Sequence, residues 1–171
     1  KIFMAAPLNP TDLQPLVKTK EVITWDTRKG GLIATLDMRI GSIILKSTPL
    51  PDPDDSQLIK AITDAVQKEG GTLLNWNEEV EQWQNRVLSL RKWNPQEGWP
   101  DVSMETLLLT NAEWLSPYLI NIKKPEALKK INLKEILQYS LPQELQKQLN
   151  VLAPKKIDVP SGSTIKLAYQ A

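Results

Sequence analysis

The fold class follows from residues 21–46, which read EVITWDTRKGGLIATLDMRIGSIILK. Polar and apolar side chains alternate in residues 21–26, and apolar residues recur at every second position from Leu32 to Met38. A period of two indicates β-strands, because neighbouring side chains of a strand point to opposite faces. The TRKGG stretch and Gly41 supply turns, and a third strand begins at Ser42. We therefore predict an antiparallel three-stranded meander.

Proline ends this sheet, since it occupies every second position across residues 49–53 and cannot continue a central strand. Asp54 and Gln57 have the spacing of a capping box. They predict a helix from about residue 56 to residue 69, ended by Gly70 and Gly71.

A helical region is predicted over the following residues, up to about residue 150. Asn77 is the expected N-cap of its longest helix, which has a glutamate-rich first turn and ends near Lys92. Its core face carries apolar residues at helical spacing: Val80, Trp83, Val87 and Leu90. Shorter helices are predicted after a cap at Asp101 or Ser103, from Pro125 to Leu128, around Leu133 to Leu137, and from Pro142 to Leu149.

A second hairpin is predicted at the end of the chain. Residues 156–159 and 164–169 both alternate, and the PSGS sequence at 160–163 is typical of a tight turn. The fold class is therefore α+β, and the sequence leaves open whether this hairpin joins the first sheet.

Composition excludes several classes of function. The 171 residues include no Cys and no His, which excludes zinc sites built from these ligands, Cys nucleophiles and Ser-His-Asp triads. No Gly-Lys-Ser/Thr phosphate loop occurs. The apolar runs are too short for a membrane span, and no secretory signal follows Lys1, so we expect a cytoplasmic protein. Lys1 is not a natural start, which favours a piece of a longer chain.

Charge is uneven along the chain. Residues 1–120 carry 12 basic and 16 acidic residues, whereas residues 121–171 carry 9 lysines and 4 acidic residues. The basic last third is a candidate polyanion surface, although solvated helix faces explain the same lysines.

Four residues are candidates for nucleic-acid contact because one strand hairpin would present them together: Trp25, Arg28, Lys29 and Arg39. Base–aromatic stacking would use Trp25, but a buried core position is the commoner role of such a residue. Arg86 lies between apolar helix positions, which predicts a buried ion pair, with Asp101 as the expected partner.

Two apparent sites are better explained by local structure. Asp52, Asp54 and Asp55 match no calcium loop and suit a helix cap after a linker, so no metal is expected. Ser161 with Lys155 or Lys156 has the composition of a Ser–Lys pair, but Gly162 beside it indicates a turn. A hydrolase built from carboxylates or a Ser–Lys pair is the weakest alternative.

The ordered series of these motifs resembles the C-terminal region of the HrpB-type bacterial DEAH-box ATP-dependent helicases. The matching stretches are RIGSIIL at 39–45, LLNW at 73–76, WPDVS at 99–103, EWLSPYL at 113–119 and VPSGS at 159–163. The resemblance marks a set of motif residues expected to be structural: Trp76, Arg86, Trp99, Pro100, Asp101, Trp114, Pro117, Tyr118, Pro160, Ser161 and Gly162.

The resemblance implies an oligonucleotide-fold-like segment at residues 1–53 and a mainly helical C-terminal extension with its terminal hairpin at residues 54–171. It implies a parent helicase, expected to act on RNA, whose motor lobes bind ATP and Mg²⁺ and lie outside this chain. The chain itself would be a non-catalytic accessory piece that borders the nucleic-acid path or docks on the motor. The expected partners are those motor lobes and single-stranded RNA or DNA, with no membrane. The alternative is a protein-interaction module without nucleic-acid contact.

Overall fold

Three consecutive strands form an antiparallel sheet in a computed structural model that describes residues 9–171. Strand β1 spans Lys18–Asp26, β2 spans Gly31–Ile40 and β3 spans Ile43–Pro49, in the order β1-β2-β3. The predicted meander is confirmed. The short helix α1 (Pro10–Leu13) and a turn of 3₁₀ helix at Gln14–Leu16 precede it.

One face of this sheet packs against the helices. Trp25 pairs with Leu32 across β1 and β2, and both side chains contact the hydrophobic core. The helix α2 (Asp55–Glu69) lies against β1. β3 forms the edge of the sheet on the side away from β1. Its pairing with β2 changes register between Met38 and Arg39. Such a bulge bends the strand and strengthens its local twist.

The two long helices begin differently. In α3 (Glu78–Trp93) the Asn77 side chain accepts a hydrogen bond from the Val80 backbone N–H at 3.1 Å, so the predicted N-cap is confirmed. In α2 the predicted capping box is wrong. The Asp54 carboxylate accepts from the Ser56 hydroxyl instead of from the backbone, and Gln57 donates to Glu21 of β1 at 3.3 Å.

The remaining helices are short and joined by tight turns. They are α4 (Met104–Leu109), α5 (Asn111–Leu115), α6 (Pro125–Lys129), α7 (Leu133–Ser140) and α8 (Gln143–Leu152). Ser103 caps α4, and Asp101 accepts from the Ser103 backbone N–H. Pro142 is the N-cap of α8 and not part of its first turn, a one-residue difference that is ordinary at helix ends.

The terminal hairpin forms its own two-stranded sheet, β4 (Lys156–Asp158) with β5 (Thr164–Lys166), and does not join the first sheet. Tyr169 attaches the end of the chain to α3. Its backbone N–H donates to Gln82 at 3.0 Å, its carbonyl accepts from Asn85 at 2.9 Å, and its hydroxyl donates to the carbonyl of Pro154 at 2.8 Å.

A single hydrophobic cluster connects these parts. The side chains of Ile62 and Val66 from α2, Val80 and Val87 from α3, and Leu115 from α5 are fully buried in it. Burying a side chain of this size stabilises the fold by about 1.5–3 kcal/mol relative to leaving it in water. Trp25 belongs to the same cluster, so the sheet and the helices share one core.

In the part of the chain that the structure describes, no helix is both long enough and apolar enough to cross a membrane.

Candidate functional site

Trp25 lies inside the protein. Its side chain is 8% exposed and forms part of the hydrophobic core. A base could stack on this indole only if the sheet separated from the helices. The prediction of Trp25 as a stacking platform is therefore wrong, and the competing core interpretation is correct.

Arg28 and Lys29 lie at the turn between β1 and β2, and both are exposed. The Asp26 side chain accepts a hydrogen bond from the Arg28 backbone N–H at 3.0 Å, which shapes the turn. Gly30 and Gly31 then take φ angles of 91° and 107°. This geometry presents two adjacent cationic side chains to solvent.

Arg39 lies at the other end of the same strands. It pairs with Lys18, whereas the turn that carries Arg28 follows the pair of Asp26 and Gly31. Arg39 follows Gly31 by eight positions along β2, a distance of roughly 26 Å at about 3.3 Å per residue. The four candidate residues lie on one strand hairpin, but Arg39 lies at the end opposite to the other three. The expectation that this hairpin presents all four together is therefore wrong for Arg39.

Arg39 belongs to a second group of cationic side chains. Lys18, Lys20 and Arg39 line a shallow cavity of about 580 Å³ together with Leu16. Lys20 pairs with Asp37 across the strands. The hydroxyl of Ser47 donates to Asp37 at 2.6 Å and lowers the pKa of its carboxyl group, as does the hydroxyl of Thr35 at 3.1 Å. The three basic side chains Lys18, Lys20 and Arg39 outnumber this carboxyl group, so this end of the sheet carries an excess of positive charge.

Next to this basic group, β3 exposes an apolar edge. Ile43, Ile44 and Leu45 are 63%, 51% and 51% exposed, and in the described residues β3 pairs only with β2. Sequence analysis identified the strand but not its exposure. The available signal was the run of three consecutive apolar residues, which is typical of a strand covered on both faces, whereas a strand with one solvated face alternates.

Arg86 is buried as predicted, at 1% exposure, but its partner is not Asp101. Its Nε donates to the carbonyl of Ala153 at 2.6 Å, and its Nη2 donates to the carbonyl of Leu149 and the side chain of Asn150. Asp101 instead forms an ion pair with Arg91 at 2.8 Å. Arg86 therefore binds the C-terminal end of α8, where the helix dipole favours a cation.

Three further tryptophans donate hydrogen bonds through their indole N–H groups. Trp76 donates to Gln84 at 3.0 Å, Trp99 donates to Glu97 at 3.0 Å, and Trp114 donates to the carbonyl of Leu107 at 2.9 Å. Of the remaining motif residues, Pro100 is half-buried, whereas Pro117, Tyr118, Pro160, Ser161 and Gly162 are exposed.

The two alternative chemical sites are not assembled. Ser161 and Gly162 lie in the turn of the terminal hairpin, with Gly162 at a φ of 82°, whereas Lys155 precedes β4 at the opposite end. Among the side chains that the structure describes, no group of three or more acidic residues is arranged to hold a metal ion.

Comparison with known proteins identifies the family. Residues 16–50 match the family model described as the connector region of the ATP-dependent RNA helicase HrpB, and residues 114–171 match the model of the ATP-dependent helicase C-terminal region. The ATP-dependent RNA helicase HrpB of Escherichia coli (strain K12) is 32% identical over 154 residues, 90% of this chain. The chain belongs to the C-terminal region of the HrpB-type helicases.

Solved structures of HrpB agree. The crystal structure of the E. coli DExH-box NTPase HrpB aligns at a TM-score of 0.70 and 31% identity, over 95% of this chain and 21% of that one. A crystal structure of the E. coli DEAH/RHA helicase HrpB aligns at 0.69 and 29%, over 99% and 21%. The chain spans 19% of the length of the curated HrpB relative. The residues that match the HrpB connector model include all of β2 and β3, and therefore the exposed edge.

Proposed function

We propose that the chain is a non-catalytic accessory module of an ATP-dependent RNA helicase and that it docks on the motor lobes of the same parent polypeptide through β3. ATP and Mg²⁺ belong to those lobes in this proposal, because this chain contains no phosphate-loop sequence. The exposed run of Ile43, Ile44 and Leu45 carries the proposal.

An exposed apolar edge strand is unfavourable in water for two reasons. Its apolar side chains lie in water and lose hydrophobic stabilisation. Its free backbone N–H and C=O groups can pair with another chain, which makes the edge prone to aggregation. A partner that covers β3 removes both costs. The parent polypeptide is the nearest source of such a surface, because the HrpB relative is about five times as long as this chain.

Binding of this chain to the separately purified motor part of its parent tests the docking surface. We expect Ile44→Asp to weaken this binding at least tenfold, because the aspartate would have to lose its hydration at the interface. Ile157→Asp is the matched control, since Ile157 is also an exposed strand isoleucine but lies in the terminal hairpin. Equal affinities of the two variants would remove β3 from the interface.

Contact with RNA is a second candidate, favoured by the cluster of Lys18, Lys20 and Arg39 next to β3. Fluorescence anisotropy with a labelled single-stranded RNA at about 50 and 200 mM salt measures it. Three phosphate contacts would give a slope of about −2 in log affinity against log salt, at about −0.7 per contact. Lys18→Ala/Lys20→Ala should reduce this slope, and Arg28→Ala/Lys29→Ala tests the other end of the sheet. An unchanged affinity in both double variants would leave docking as the only role.

A further inference from the structure

The Arg86 guanidinium group has unused hydrogen-bonding capacity inside the protein. Three of its five N–H groups donate to α8 and Ala153, as described above. Its Nη1 is buried and has no acceptor in the described part of the chain. A buried donor without a partner costs free energy, and the cost is larger when the group is charged.

Arg86 lines a cavity of about 270 Å³ that is formed by α3, α7 and the terminal hairpin. Three lysines from the latter two elements line it as well: Lys134, Lys155 and Lys166. Trp83 also contributes to the wall, and its indole N–H has no acceptor among the described residues. Donors from three elements therefore surround one space.

The carboxylates at this cavity do not balance its positive charge. Glu79 pairs with Lys134 at 2.7 Å, and Glu78 pairs with Lys166 at 3.4 Å. Among the side chains that the structure describes, no carboxylate lies within 4 Å of the Arg86 guanidinium or the Lys155 ammonium group. Desolvation, together with repulsion from Lys134 and Arg86, lowers the pKa of Lys155, and attraction to Glu79 offsets only part of this shift. Two cations therefore remain without a carboxylate partner.

We propose that this cavity binds a phosphate group through Arg86 Nη1 and the Lys155 ammonium group. A phosphate group is anionic, as a dianion or monoanion when free and as a monoanion in an RNA backbone, so it offsets positive charge in either form. Its acceptor oxygens suit donors that approach from different sides. The group belongs either to free phosphate or to an RNA chain, and both share this chemistry. The site is separate from β3 and does not depend on the docking proposal.

The test is a titration of this chain, labelled with ¹⁵N, with sodium phosphate. The NMR signals of the six tryptophan indole N–H groups and of the Arg86 Nε–H report binding. We expect saturable shifts of the Trp83 and Arg86 signals, and no such shifts with sodium chloride at the same ionic strength. Shifts that do not saturate, or that chloride reproduces, would overturn the proposal.

Lys155→Gln removes one phosphate contact without removing the bonds of Arg86 to α8. We expect it to weaken phosphate binding at least tenfold, whereas Lys156→Gln, the neighbouring lysine outside the cavity, should change it less than twofold. Arg86→Lys keeps the charge but loses the planar fork, and should also weaken binding. Equal affinities of the Lys155 and Lys156 variants would contradict the assignment.

A second titration, with a single-stranded RNA lacking terminal phosphates, distinguishes the two sources of the group. If this RNA displaces bound phosphate from the native chain, and itself shifts the Trp83 and Arg86 signals more weakly in Lys155→Gln, a backbone phosphate is the ligand. Saturable phosphate binding that the RNA does not displace identifies free phosphate. If neither ligand shifts the Trp83 and Arg86 signals, the cavity holds only water and the proposal is wrong.

Discussion

Gly31 lies where the turn between β1 and β2 meets the segment that leads into α6. A Cβ atom at this position would lie 2.7 Å from the carbonyl oxygen of Lys123 and 2.9 Å from Cδ of Pro125. The adjacent Leu32 backbone N–H donates to the same carbonyl at 3.1 Å. The absence of a side chain at Gly31 therefore lets the sheet and the helical region meet.

Gly31→Ala should destabilise the protein more than Gly30→Ala. Both glycines have positive φ, which costs an alanine about 1–2 kcal/mol, but only Gly31 has atoms within 4 Å of the added methyl group. Overpacking at Gly31 adds about 1–3 kcal/mol. Urea denaturation of the two variants measures the difference. Equal losses would show that the backbone conformation alone requires these glycines.

Asp37 makes stability depend on pH at the acid end. Because its pKa is lowered in the folded state, the unfolded state takes up the proton first as the pH falls. The stabilisation is present above the unfolded pKa, near 3.8, and is lost as the pH falls through the folded pKa.

Asp37→Asn should therefore make the melting temperature fall less steeply as the pH is lowered from about 5 toward 2. Asp52→Asn, at an exposed position of the linker, is the control. Thermal melts over this pH range measure the effect, and parallel curves for the native chain and Asp37→Asn would contradict it.

At the scale of elements, the caps of α2 and α3 differ in a way that stability can measure. Asn77 accepts from a backbone N–H of α3, whereas the Asp54 side chain makes no such bond to α2. Asn77→Ala should cost about 1 kcal/mol, the usual value of an N-cap side chain, and Asp54→Ala should cost less. Chemical denaturation compares them. A larger loss for Asp54→Ala would mean that the charge of Asp54 at the helix terminus outweighs a formed cap.

At the scale of the whole molecule, the shared core predicts how the chain unfolds. Trp25 from the sheet lies in the same cluster as Trp83 and Leu115 from the helices. Separation of the two parts would expose this cluster to water, so we expect one cooperative transition in calorimetry with coincident fluorescence and circular dichroism midpoints. Two separate heat peaks would show that residues 1–53 and 54–171 are independent domains.

The family resemblance and most elements were visible in the sequence because their signals are local. Alternation across residues 21–46, the prolines after β3 and Asn77 before α3 each act through neighbours within a few positions. The same is true of Arg28 and Lys29, which the turn sequence places in an exposed loop. The capping box failed because Gln57 found a partner in β1, and that contact is not local.

The candidate sites depended on the tertiary structure. Arg86 was identifiable as buried from its helix face, but its acceptors at Leu149 and Ala153 lie 63 and 67 residues away along the chain. Arg39 and Arg28 share a hairpin, yet the length of the strands holds them at opposite ends. Sequence alone therefore determined most elements and the family, because local backbone preferences depend on residues only a few positions apart. Only the packing of distant segments decided which charges meet, which tryptophan is buried and which edge is left exposed.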